Sequence, residues 1–218
     1  MHFRNALPRL AALLLMLMLG LSHPAAAQLA SRPADEWIRT LETPSRLESL
    51  KIYETLAALK VKPGQIVADI GAGTGVFTIP LAQAAKPGGM VYAEDIDQAL
   101  LDVISEKATE QGMTNVQVVL GEFGDPNLPA NIDLALINDV LHHIKDRAAY
   151  LKTLAAYLKP GGRIAIIEFI PEQGGHKGEP ELQVSQEQAT KWMADAGLKP
   201  VDQIKLFTDR WFVIYGKQ

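Results

Sequence analysis

From Gln65 onward, short apolar runs alternate along the chain with longer stretches in which apolar residues recur every three or four positions. The first run opens at Ile66 and meets a glycine-rich turn; others cover Met90 to Asp97, Val116 to Leu120, Ile132 to Ile137 and Arg163 to Phe169. Runs this short, bounded by glycine, proline or acid, predict buried strands. Between them, Val76 to Ala85, Asp97 to Gln111 and Asp146 to Leu158 have helical spacing, and so does Ser185 to Gly197 further on. Ahead of the first strand, Ser45-Arg46-Leu47-Glu48 has the spacing of a capping box, and Leu47, Leu50, Tyr53, Leu56 and Leu59 continue it as one helix to Lys60. The last two runs, Val201 to Phe207 and Trp211 to Tyr215, are joined by Thr208-Asp209-Arg210. That link is too short for a parallel crossover and predicts an antiparallel hairpin. Strand–helix alternation predicts an α/β domain whose mostly parallel sheet is covered by helices on both faces.

Composition narrows this picture. With 218 residues, 48% hydrophobic and 21% charged, the chain supports one domain with a sizeable core. A net charge of −4 gives no basic footprint, so no nucleic-acid partner is suggested. The absence of cysteine removes disulfides, thiolate metal sites and thiol nucleophiles. Residues Met1 to Ala27 carry Arg4 and Arg9, then an apolar core from Leu10 to Leu21, then Ala25-Ala26-Ala27. This is the pattern of a secretory signal peptide, with a core too short for a permanent span. It predicts a mature chain from Gln28, exported to the periplasm, with tethering by an uncleaved segment as the alternative. Residues 28–62 are then a loose lead-in and a covering helix, and 63–218 the main domain.

The turn after the first strand is Asp69-Ile70-Gly71-Ala72-Gly73-Thr74-Gly75. Glycines at every second position allow backbone N–H groups to approach a ligand at a helix start. A dinucleotide fingerprint requires glycine where Val76 stands, and no Gly-Lys-Ser/Thr follows as in a P-loop. Asp69 beside the turn repels a pyrophosphate and attracts an ammonium group. Asp95 follows the second strand, where a carboxylate can grip a ribose diol.

Asp-x-Gly-x-Gly-x-Gly at the end of a first strand resembles motif I of the class I S-adenosylmethionine-dependent methyltransferases. Asn138-Asp139-Val140-Leu141-His142-His143 resembles a segment of the small-molecule members. The resemblance extends over nearly all of the mature chain and implies a Rossmann-like, doubly wound, seven-stranded sheet, mostly parallel with a C-terminal antiparallel hairpin. It implies S-adenosyl-L-methionine as cofactor, held by Asp69, Gly71, Gly73, Thr74, Gly75, Asp95, Ile96 and Asn138. Glu122, or alternatively Asp125, would meet the adenine edge, with Phe123 against its face. The helix from Ser45 to Lys60 would lie over the cofactor pocket or cover a sheet edge.

Methyl transfer from a sulfonium depends mainly on proximity and alignment. A base matters only when the acceptor must lose a proton, and His142 and His143 at the end of the fourth strand are the candidates. Adjacent residues on a tight loop do not both face one pocket, and His142, nearer the strand, is the expected one. A histidine pair alone is no metal site, and no metal is expected. The reading is a methyltransferase acting on a small molecule; the alternative is a non-catalytic cell-envelope protein that binds the cofactor or its demethylated product. A nicotinamide oxidoreductase is disfavoured by Val76.

Overall fold

A computed structural model describes residues 33–217 with the exception of Gly175, so the Met1 to Ala27 segment and the Gln28 start lie outside the described residues. Seven strands form one sheet: β1 (Ile66–Ile70), β2 (Met90–Asp95), β3 (Val116–Leu120), β4 (Ile132–Asn138), β5 (Leu158–Phe169), β6 (Lys199–Gln203) and β7 (Arg210–Gly216). Their spatial order is β3-β2-β1-β4-β5-β7-β6, with β1 to β5 parallel and β7 antiparallel to both β5 and β6. The order reverses at β1, which pairs with β2 on one side and β4 on the other. In open α/β sheets a ligand crevice lies at such a reversal, outside the carboxyl ends of the strands.

Helices of eight residues or more join β1 to β2, β2 to β3 and β4 to β5, namely α4 (Thr78–Ala85), α5 (Gln98–Glu110) and α6 (Arg147–Ala156), with α7 (Gln186–Asp195) before the hairpin; β3 leads to β4 without a helix. The central strands are buried on both faces, which explains their nearly continuous apolar runs. Ile70, Ile137 and Ile166 pack on the side of Leu151, Leu154 and Met193. Val67, Leu136 and Ile167 pack on the opposite side with Leu59, Phe77 and Leu81. Helix starts follow local chemistry: Asp97 and Asp146 accept backbone N–H bonds from Ala99 and Ala149, and Ser185 with Gln188 forms a reciprocal capping box.

Ahead of the sheet the structure departs from the expected lead-in and single helix. The segment before Pro44 carries a helix of its own, α1 (Ala34–Leu41), started after Pro33 with Asp35 and Glu36 in its first turn. The expected helix from Ser45 to Lys60 is two: α2 (Pro44–Ser49) and α3 (Ile52–Leu59). Thr43, not Ser45, is the N-cap residue of α2, without a side-chain capping bond. The break falls at Lys51, whose φ is +44, and its ammonium donates to the carbonyl of Leu206 at 3.0 Å. On either side of this turn, Leu50 and Leu59 are both buried in the cluster packed against the sheet. The hairpin link is also longer than three residues, with Ile204 N–H bonding back to the Phe212 carbonyl at 2.9 Å. Among the described residues no helix is long and apolar enough to cross a membrane.

Candidate functional site

At the carboxyl ends of β1, β2 and β4 lies a cavity of about 200 Å³, bounded by the glycine turn, the β2 terminus and the segment after β4. Gly71, Gly73 and Gly75 all have positive φ, between +57 and +79. A Cβ at Gly71 would fall 2.6 Å from Val140 Cγ2, so the turn can approach β4 only without a side chain there. Gly71 and Gly73 line the cavity, whereas Gly75 packs toward Ile104 and lies outside the lining.

Three buried carboxylates surround this turn. Asp69 accepts the Thr78 hydroxyl at 2.7 Å. Glu94 accepts the Gly71 N–H at 3.2 Å. Asp95 accepts Gly73 N–H at 2.8 Å through one oxygen and Asp97 N–H at 3.0 Å through the other, so it locks the turn to the end of β2. Among the described residues none of the three makes an ion pair, although all line the cavity. Burial pushes the Asp69 carboxyl up to about 7, against the lowering effect of Thr78 and with a further upward push from Asp95. Burial likewise pushes Glu94 up to about 8, opposed by the Gly71 N–H and reinforced by Asp95, Asp69 and Asp125. Asp95 is raised by burial as well, while the N–H groups of Asp97 and Gly73 hold it down. An unliganded site of this kind is short of positive charge.

Of the other residues singled out in the sequence, Thr74, Ile96, Glu122, Phe123 and Asn138 line the cavity. The Thr74 hydroxyl and the Asn138 side-chain oxygen are buried there without a hydrogen-bond partner, as expected of atoms left for a ligand. Glu122 is on the wall, whereas Asp125 is turned away to accept the Tyr157 hydroxyl at 2.7 Å. The roof comes from Trp37 and Leu41 of α1 with Arg46 and Leu50, while Tyr53 points outward at 84% exposure. Two ion pairs hold the roof. Arg46 reaches Asp139 at 2.9 Å, and Lys107 of α5 joins Glu42 while donating to the Thr74 carbonyl at 2.9 Å. Asp139 has a φ of +62, and its second oxygen is buried without a partner.

The two histidines divide differently from the expectation. His143 is on the cavity wall, and His142 is buried behind it in a short 3-10 turn, Leu141–His143. His142 Nδ1 is bound to Glu168 at 2.8 Å, and Glu168 also accepts the N–H groups of His142 and Phe169. Burial, with the nearby His142, His176 and Arg147, pushes His143 down to about 3. Glu168 and His176 are residues that sequence reasoning did not place in the site, and Glu94 is the acid it set aside in favour of Asp95. A lone acid at the carboxyl end of an apolar strand was the available signal for Glu168, and the neighbouring Asp95 for Glu94.

A parallel sheet of this strand order, closed by an antiparallel hairpin and carrying a glycine turn and acids at its reversal, is the Rossmann-like methyltransferase fold. A sequence model of the methyltransferase domain matches residues 61–200, and the chain belongs to that family. A demethylmenaquinone methyltransferase of Geobacillus sp. (strain WCH70) is 31% identical over 116 residues, 53% of this chain and 50% of that one. The chain thus spans about half the length of the curated relatives it matches. The crystal structure of a SAM dependent methyltransferase from Aquifex aeolicus is similar with a TM-score of 0.75 and 26% identity, covering 86% of this chain and 100% of that one. Magnesium protoporphyrin IX methyltransferase from Synechocystis PCC 6803, solved with bound SAM, shares the fold at a TM-score of 0.69 and 21% identity, over 89% of this chain and 95% of that one.

Proposed function

We propose that the protein is an S-adenosylmethionine-dependent methyltransferase of a small-molecule acceptor. The observation that carries this reading is the ring of Asp69, Glu94 and Asp95, buried around a glycine turn and without a cationic partner among the described residues. Such a ring suits a ligand with positive charge and repels a diphosphate. S-adenosylmethionine, which carries an ammonium and a sulfonium, would supply an activated methyl group. In this reading Asp69 faces the amino-acid part and the Gly71 to Thr74 backbone supports it. Asp95, already fixed by two N–H groups, keeps lone pairs for a ribose diol. Ile96 and Phe123 flank the adenine, with Glu122 at its edge. The chain's own contribution to the reaction is then alignment and exclusion of water under the α1–α2 roof.

The test is calorimetry with S-adenosylmethionine, its demethylated product and NAD, followed by turnover with labelled donor. Quinols belong first in the acceptor panel, because the Geobacillus relative is named for demethylmenaquinone. Binding of the first two ligands, refusal of NAD and transfer of label are expected. Folded protein that binds none of the three would defeat the reading, and binding without turnover on any acceptor would favour the non-catalytic alternative.

We also propose that the protein is exported, on the strength of the Arg4 to Ala27 pattern. Intact-mass measurement on protein from its native host should show a chain starting near Gln28.

A further inference from the structure

The fold brings a third histidine to the pair after β4. His176, on the segment between β5 and the Pro180–Leu182 turn, places its ring centroid 4.5 Å from that of His142 and 5.5 Å from that of His143. One ring nitrogen from each of the three lies within 4.8 Å of the others. We propose that His142, His143 and His176 form a binding site for one divalent transition-metal ion of the zinc type.

The way the rings are held supports this. His142 Nδ1 is fixed by Glu168 at 2.8 Å, and His176 Nδ1 by Glu179 at 2.9 Å. In both, the carboxylate occupies Nδ1 and leaves Nε2 for a ligand, which is how metal-bound histidines are oriented from behind. Glu168 is itself clamped by backbone N–H groups, so it cannot swing away. The segment carrying His176 is tied to the histidine turn by Arg147, which donates to the carbonyls of His142 and Glu181, both at 2.6 Å. Gln183 adds a bond to the His176 carbonyl at 2.8 Å. The Arg147 guanidinium opposes a cation, and the two carboxylates behind the rings offset it.

Three imidazoles suit zinc and its neighbours rather than calcium or magnesium, which take oxygen ligands. Around a tetrahedral ion at about 2.0–2.1 Å, the nitrogens would be about 3.3 Å apart, so the rings need draw in by up to about 1.5 Å from the 4.8 Å within which they lie. Three protein ligands leave a fourth position open, and one of the three, His143, lines the cavity. If methyl transfer is the activity, as proposed above, that position would take an acceptor oxygen as its anion; only this last step rests on that reading.

The test uses untagged full-length protein stripped with chelator. Co2+ is titrated in while its visible d–d absorption is followed, and Zn2+ is then added to displace it. One equivalent of Co2+ is expected to bind and be displaced. His176→Ala, on a partly exposed segment, should keep the fold and lose at least about tenfold in affinity; Glu168→Gln should lose about 10- to 100-fold, the usual effect of removing an orienting partner. Circular dichroism melts accompany both variants. A folded wild type that gives no absorption, or a His176→Ala variant that binds Co2+ as the wild type does, would overturn the site. Calorimetry with S-adenosylmethionine on the same stripped samples keeps the two questions apart, since cofactor binding without metal leaves the methyltransferase reading standing whatever the Co2+ result.

Discussion

The carboxyl edge of the sheet carries two clusters of titratable groups built on opposite plans. At β1 and β2, Asp69, Glu94 and Asp95 converge with backbone N–H groups and one hydroxyl as their partners and, among the described residues, no cation. At β4 and β5, His142 and His176 each have a carboxylate behind the ring. The first cluster is incomplete in charge and completed by what binds there; the second is organised in advance by its own partners. A backbone N–H group or a hydroxyl can hold a buried acid in place, but it only partly offsets the loss of water, in keeping with the upward shifts of Glu94 under Gly71 N–H and of Asp69 under the Thr78 hydroxyl.

The largest effect on the first cluster is expected from Gly71→Ala. The new Cβ would meet the Val140 side chain at 2.6 Å with φ at +61, so either the turn or the segment after β4 must move. Strain of this kind costs about 1–3 kcal/mol, and we expect a loss of that size in chemical denaturation together with at least a hundredfold loss of S-adenosylmethionine affinity. Retention of affinity within threefold would show that the close approach of turn and β4 is dispensable.

Next comes Asp95→Ala, which removes the lock between Gly73 and Asp97 along with the ribose ligand. Hydrogen bonds to a charged group are worth about 1.5–3 kcal/mol, so calorimetry should show affinity weakened by that amount. Unchanged binding by a folded variant would remove Asp95 from the site.

The third effect, on stability and not on affinity, is a pH dependence. Glu94 titrates near 8 when folded and near 4.5 when free, so the folded protein keeps a proton that the unfolded chain has given up. Stability from this group is therefore full below about pH 4.5 and is lost as pH rises toward 8. Glu94→Gln removes that dependence. The melting temperature of the ligand-free variant, relative to wild type, should rise between pH 5 and pH 8.5. A difference that stays level across this range would mean that Glu94 is already ionised at pH 5.

The two clusters also differed in how far they could be read from the chain. Asp69 to Gly75 is a local unit, in which strand, turn and helix start follow one another, and Asp95 takes its place because β2 pairs beside β1. Glu94 was set aside for Asp95 because an acid at a strand end ordinarily meets water, whereas here both are buried. The choice between His142 and His143 was not decided by nearness to the strand. The 3-10 turn rotates His142 toward Glu168, a partner 26 residues away that periodicity does not reveal. His176 is invisible for the same reason, since a loop of glycines and charges says nothing about where it lands. In the lead-in, Pro33 with Asp35 and Glu36 did signal a helix start, but the break at Lys51 was hidden by a periodicity that continues across it.

Lys107 makes the roof and the glycine turn respond to one charge, because the same ammonium meets Glu42 and the Thr74 carbonyl. The Lys107–Glu42 and Arg46–Asp139 contacts are partly open to solvent, and exposed charge pairs weaken as salt screens them. The roof is therefore softer at high ionic strength. Ligand exchange should then become faster with added salt even where the equilibrium affinity barely moves, so the residence time of a bound ligand is set partly by the buffer.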